Sequence, residues 1–188
     1  MTKKVLRKLY KEKRGQLTLS QRKIASDKIA EHIAAHFNWE NKVISIFLPI
    51  DRLNELETAS IIQLLAKKNT IALPFTALKE FAMEHRKLAT DTIITKNEWD
   101  IPEPQNGEII QPTLLDIIFI PLLISDEHGY RVGYGKGFYD RFLANCREDA
   151  LFIGLNYFPS ISKISDTEKT DIPLNYLISP EGIEKFKR

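Results

Sequence analysis

Ile117-Ile-Phe-Ile-Pro-Leu-Leu-Ile124 is the most apolar stretch of this chain, and it leads shortly into Arg131-Val132-Gly133-Tyr134-Gly135-Lys136-Gly137-Phe138-Tyr139-Asp140-Arg141. An uncharged run of that length reads as a central strand, because a strand buried on both faces has no polar side to present. The three alternating glycines then strip bulk from the backbone, so anionic oxygens can approach its N–H groups. Lys136 adds a point charge inside the run. A helix pattern follows from Phe138, and a loop that opens a helix N-terminus favours anions. Asp140, one step further on, is placed to hold a metal ion that a bound nucleotide would bring.

Strand and helix patterns alternate along the rest of the chain. Val43–Leu48, Thr70–Pro74, Leu151–Leu155 and Leu174–Ser179 read as further strands. Lys3–Arg14, a segment capped by Ser20, Thr58–Lys68 and Gly137–Cys146 read as helices. Their apolar stripes are Val5, Leu6, Leu9 and Tyr10, then Ile24, Ile29 and Ile33, then Ile61, Ile62, Leu64 and Leu65. Phe81–Leu88 reads as an edge strand, and residues 91–113 as an ordered loop with little regular structure. The alternation predicts an α/β fold: a single-domain, three-layer sandwich over residues 1–188 with a mostly parallel, Rossmann-like sheet. Ligands of such sheets bind beyond the C-terminal strand ends, so the loops carrying Glu55 and Gly133 should line one cleft.

Composition excludes several classes. At 188 residues, 43% hydrophobic and 28% charged, the chain can bury a substantial core and has the profile of an ordinary globular protein. No apolar run reaches membrane-spanning length, and Met1-Thr2-Lys3-Lys4 lacks a signal-peptide core. Cys146 is the only cysteine, so no intrachain disulfide is possible, and a cytoplasmic setting is the simplest expectation. Residues 1–28 hold ten Lys and Arg against Glu12 and Asp27, a local +8 in a chain of net charge +2. Such a basic segment suits nucleic acid, an anionic surface or a polyanionic small ligand; a solvated helix face is the plainer reading for most of its lysines. His32 and His36, at i and i+4, lack a third ligand and read as surface residues. No G-x-S-x-G elbow or Cys–His pairing offers a nucleophile.

The glycine run matches neither common phosphate loop. A Walker A loop needs Ser or Thr where Gly137 stands, and G-x-G-x-x-G needs glycine at Phe138. It does resemble the signature of the 5-formyltetrahydrofolate cyclo-ligases, also called methenyltetrahydrofolate synthetases. Lys3-Lys4-Val5-Leu6-Arg7, Glu55-Leu56-Glu57-Thr58, Trp99-Asp100-Ile101-Pro102-Glu103-Pro104 and Asp171 resemble the same family in the same order. The family often has His before this last Asp and another Asp soon after, where this chain has Thr170 and Asn175.

The resemblance implies an enzyme that uses ATP and Mg²⁺ to convert 5-formyltetrahydrofolate to 5,10-methenyltetrahydrofolate. It implies ATP contacts from Lys3, Lys4, Arg7, Arg131, Gly133, Tyr134, Gly135, Lys136, Gly137, Phe138 and Tyr139, with Lys136 and Tyr139 catalytic. It implies folate contacts from Leu48, Glu55, Phe75, Trp99 and Tyr139, and metal contacts from Asp140 and Asp171. Glu57 competes with Glu55, since the preceding loop Pro49-Ile-Asp-Arg-Leu-Asn54 is slightly long. Either Lys3 or Lys4 can share a helix face with Arg7. The expected partners are the two small molecules, with no nucleic acid and no membrane, and the expected state is a monomer. Two alternatives stand beside this reading: another small-molecule phosphoryl-transfer enzyme, and a non-catalytic nucleic-acid-binding module using the basic N-terminus.

Overall fold

The computed structural model describes residues 1–77 and 82–187. Helix α1 (Lys3–Gly15) starts at a Thr2 cap, and α2 (Leu19–His36) at a reciprocal capping box between Thr18 and Gln21 rather than at Ser20. Then follow β1 (Val43–Ser45), α3 (Ala59–Leu65), β2 (Thr70–Ala77) and β3 (Ala82–Lys87). The segment expected as a loop carries three short strands, β4 (Ile94–Lys96), β5 (Pro102–Pro104) and β6 (Ile109–Ile110). The remainder is β7 (Ile117–Pro121), β8 (Ile124–Ser125), β9 (Arg131–Val132), α4 (Phe138–Leu143), β10 (Leu151–Leu155), β11 (Tyr176–Ser179) and β12 (Gly182–Lys185). Phe81, the expected start of β3, lies outside the described residues.

The main sheet runs β12-β11-β10-β7-β1-β2-β3-β6. Its centre is parallel, from β11 to β2, and antiparallel strands close both sides. Alternation along β7 explains the layers. Ile117 and Phe119 face a core shared with Ile29 and Ile33 of α2 and Ile61 and Leu65 of α3. Ile118 and Ile120 face the opposite core, with Phe142 and Leu143 of α4. The uncharged run expected as one strand breaks after Pro121, and Ile124 and Ser125 pair instead with Val132 and Arg131. This small ribbon is where α1 docks, through Leu6 and Tyr10 against Leu123, Ile124 and Val132.

Chain direction positions the site. From β1 the chain crosses through α3 to β2 on one side; from β7 it crosses through α4 to β10 on the other. The neighbours β1 and β7 are parallel, so their ends share one edge of the sheet. Reversal of strand order between them opens a crevice there, the general position for ligands in such sheets. Among the described residues, no helix is long and apolar enough to cross a membrane.

Candidate functional site

The crevice is a cleft of about 770 Å³ lined by the glycine run, Lys3, Arg7, Pro121 and residues 168–172. Gly135 and Gly137 have φ of +90° and +66°, which a side chain would strain. A Cβ on Gly135 would also sit 3.1 Å from the Arg7 guanidinium carbon. Arg7 Nε donates to the Gly133 carbonyl at 2.9 Å, and Arg141 donates to the Lys136 carbonyl at 2.8 Å. Carbonyls are thereby tied back. Lys136 itself is exposed, its ammonium 5.5 Å from the Trp99 ring centroid.

The first helix reaches the cleft with Lys3 and Arg7, at i and i+4; Lys4 is exposed and lies outside the lining. Lys3, and not Lys4, thus stands beside Arg7 in the cleft wall. Lys3 Nζ lies 2.7 and 2.5 Å from the two Asp171 oxygens, and its backbone N–H donates to Asp166 at 2.6 Å. Val5, expected inward, is exposed, as is Ile24 of α2. The true inner face of α1 is Leu6, Tyr10 and Arg14.

Arg131 forms the cleft floor. It is buried and donates to Asp140 Oδ1 at 2.7 Å and to the Ile172 carbonyl. Burial lowers its proton affinity, and Asp140 opposes that effect. The Ile172 N–H also donates to Asp140 Oδ1, at 3.1 Å.

Magnesium that accompanies ATP needs one or two carboxylates, with waters and phosphate oxygens completing its shell. Asp140 suits that need, since these contacts fall on a single oxygen and the residue lines the cleft. Asp171 is engaged on both oxygens by Lys3, and on Oδ2 also by the Glu168 N–H. It could ligate a metal only by loosening its hold on Lys3. Among the described residues, no three His, Cys, Asp or Glu side chains cluster as a metal site. Asp140 is thus the carboxylate of the cleft with an oxygen left for a metal that a nucleotide would bring.

On the β1 side, Glu55 is 3% exposed. Its Oε2 accepts from the Ile50 N–H at 2.9 Å, and its Oε1 accepts from the Tyr134 hydroxyl at 2.5 Å. Arg14 donates to that same hydroxyl at 2.8 Å. Burial raises the Glu55 carboxyl above its ordinary value, while Tyr134, Ile50, Arg14 and Arg52 pull it down. Glu57, the competitor, is exposed, and its backbone N–H donates to Ser26 of α2. Tyr139 links the two halves: burial and then Glu55 push its phenol up, with Arg131 opposing. Its phenol therefore stays protonated.

Trp99 lies in the β4–β5 segment, edge-on to Phe138 at 6.1 Å. Arg52 donates to its carbonyl at 2.8 Å, and the Lys96–Asp51 pair at 2.9 Å fastens the same two loops. The aromatic neighbour of Trp99 is thus Phe138 of the glycine run. Phe75 on β2 is partly buried with the Arg86 guanidinium 4.1 Å from its centroid, and Leu48 packs partly buried on the core below.

The sequence reading counts Arg14 among the ten basic residues of the first 28 and gives it no inward place. The signal for its burial was present: Leu6, Tyr10 and Arg14 recur at four-residue spacing on one face. The Arg131–Asp140 pair had no comparable signal, because only the β8–β9 ribbon brings the two together.

A model of the 5-formyltetrahydrofolate cyclo-ligase family matches residues 1–180. The chain is 32% identical to 5-formyltetrahydrofolate cyclo-ligase of Mus musculus over 77% of its own length and 74% of the relative's. It is also 32% identical to the protein of that name in Haemophilus influenzae, over 86% and 88%. The solution structure of Aquifex aeolicus 5,10-methenyltetrahydrofolate synthetase superposes with a TM-score of 0.82 at 25% identity, covering 100% of this chain and 94% of that one.

Proposed function

The chain belongs to the 5-formyltetrahydrofolate cyclo-ligase family, and from that premise we propose that it closes 5-formyltetrahydrofolate to 5,10-methenyltetrahydrofolate at the expense of ATP. The observation that carries the proposal is Tyr134, which lines the same cleft as the glycine loop, Lys3, Arg7 and Arg131 and whose hydroxyl donates to the buried Glu55 behind it. One half suits a triphosphate. The other suits a ring with N–H donors.

The formamide oxygen of the substrate is a poor leaving group. Its attack on the γ-phosphorus releases ADP and leaves a formyl carbon bearing a phosphate. N10 then attacks that carbon, loses its proton and expels phosphate together with the former formyl oxygen. The glycine-loop N–H groups and Lys136 stabilise charge on the transferring phosphoryl group, which needs positioning more than covalent help. Lys3 and Arg7 hold the phosphates from the opposite wall. Tyr139, kept neutral, donates a hydrogen bond between the phosphate and folate halves. Glu55 accepts from the ring and fixes N10 beside the activated carbon, where proximity favours closure. Asp140 would hold the magnesium that accompanies ATP, and the ion would supply further charge neutralisation.

The test is ATP hydrolysis with and without 5-formyltetrahydrofolate, read together with appearance of the methenyl chromophore. Strict mutual dependence is expected. Turnover of ATP on a different acceptor would favour a small-molecule kinase instead. A nucleic-acid module is disfavoured because Lys3 and Arg7 line a concave cleft and Arg14 is buried, so these cations form no exposed basic face.

A further inference from the structure

Arg14 has no task in the chemistry above, yet it is 4% exposed. A buried guanidinium is costly unless its donors are used. Two of them are: Nη1 donates to the Tyr134 hydroxyl at 2.8 Å and Nη2 to the Leu122 carbonyl. The first contact has a chemical consequence. A phenol has one proton, and here its oxygen already accepts from Arg14. The proton is left to point at Glu55 Oε1, 2.5 Å away.

We propose that Arg14 is a positioning residue for folate binding: by fixing the Tyr134 hydroxyl as a donor, it keeps Glu55 an ionised acceptor. This rests on the reading that Glu55 receives the N–H donors of the folate ring.

Glu55 is faced from each element packed against it. Arg14 and Tyr134 approach from α1 and the glycine loop, Arg52 from the turn after β1, and Tyr139 from α4. The Ile50 N–H holds Oε2, and the Tyr157 hydroxyl donates to the Glu55 backbone carbonyl at 2.9 Å. Burial works against the charge, and Tyr134 is the strongest of the opposing contacts. A protonated Glu55 would offer a donor where the ring also offers donors. Arg14 therefore favours substrate without touching it. The Arg14 Nε and Asn156 Oδ1 line a cavity of about 10 Å³ beside Glu55, both without a protein partner. Its size admits about one water, which would brace the guanidinium from behind.

The test is the affinity of the full chain for 5-formyltetrahydrofolate between about pH 5 and 8, for wild type, Arg14→Gln, Tyr134→Phe and the double variant. In each variant the acidic limb of the affinity profile should move up by about one pH unit, as for loss of one charge-assisted hydrogen bond. The double variant should move no further than the larger single one. ATP affinity should change less than folate affinity. Tyr134→Phe removes a single oxygen and carries the test if Arg14→Gln fails to fold. An acidic limb unmoved in Tyr134→Phe overturns the proposal, as does an equal loss of ATP and folate at every pH. Wild-type turnover is assayed in parallel: its absence contradicts the cyclo-ligase reading, whereas turnover with an unmoved profile contradicts only the role of Arg14.

Discussion

The Lys3 ammonium lies 2.7 and 2.5 Å from the two carboxylate oxygens of Asp171, closing the chain across 168 positions at the mouth of the cleft. Both side chains are only 17% exposed, so this pair is less screened than a surface ion pair. If Lys3 serves the phosphates as proposed, Asp171 is the residue that holds it at the cleft. Lys3→Met and Asp171→Asn should each weaken ATP about tenfold, and the double variant should be no worse than the worse single one. Nucleotide titration of the four proteins checks this. Additive losses would mean that the residues act separately, with Asp171 free to serve the metal.

Lys136 has no such tether. Its ammonium rests over the Trp99 ring, and the residue is exposed. Lys136→Ala should leave the unfolding midpoint unchanged and cut kcat about a hundredfold, as for loss of one preorganised charge stabiliser. Trp99 emission, read in a Trp39→Phe background, offers a second readout. If the lysine swings from the ring to the phosphates, ATP should alter the emission of wild type and not of Lys136→Ala.

Glu55→Gln should spare ATP and weaken folate at least about tenfold, because an amide presents the ring with a partly mismatched partner. Glu57→Gln, at an exposed position on the α2 side, should bind folate as wild type does. The reverse pattern would move the folate contact by two residues and leave the buried Glu55 structural.

The parts of this site that were readable in the sequence are those written in consecutive residues. The uncharged β7 segment and the alternating glycines define a strand and a glycine-rich loop after it without any knowledge of neighbours. The parts that were unreadable depend on pairing. Strands β4, β5 and β6 have three, three and two residues, too few for period-2 alternation to register. The break at Pro121 is set by the β8–β9 pairing, so a continuous apolar run was divided between two sheets. Arg14 is flanked by the exposed Lys11 and Lys13, and only its four-residue spacing from Tyr10 marks it as inward.

His85 makes stability pH-dependent. It is fully buried, 2.7 Å from Ser45 Oγ and with its ring 4.3 Å from Phe142. Burial lowers its pKa from 6.5 to about 3. The unfolded chain takes up this proton as pH falls through 6.5, and the folded chain does not until about 3. Its contribution is therefore complete above that window and is lost on acidification, by at most about 1.4 kcal/mol per pH unit. Urea unfolding at several pH values should show the slope in wild type and a shallower one in His85→Leu. Equal slopes would assign acid lability to other groups.

The central claim is that ATP activates the formyl oxygen itself. Oxygen-18 placed in the formyl group of 5-formyltetrahydrofolate tests it most directly, with the released phosphate analysed by mass spectrometry after turnover. Transfer of the label to phosphate, one atom per methenyl product, is the predicted result. Unlabelled phosphate, with the oxygen-18 recovered in water, would contradict the account.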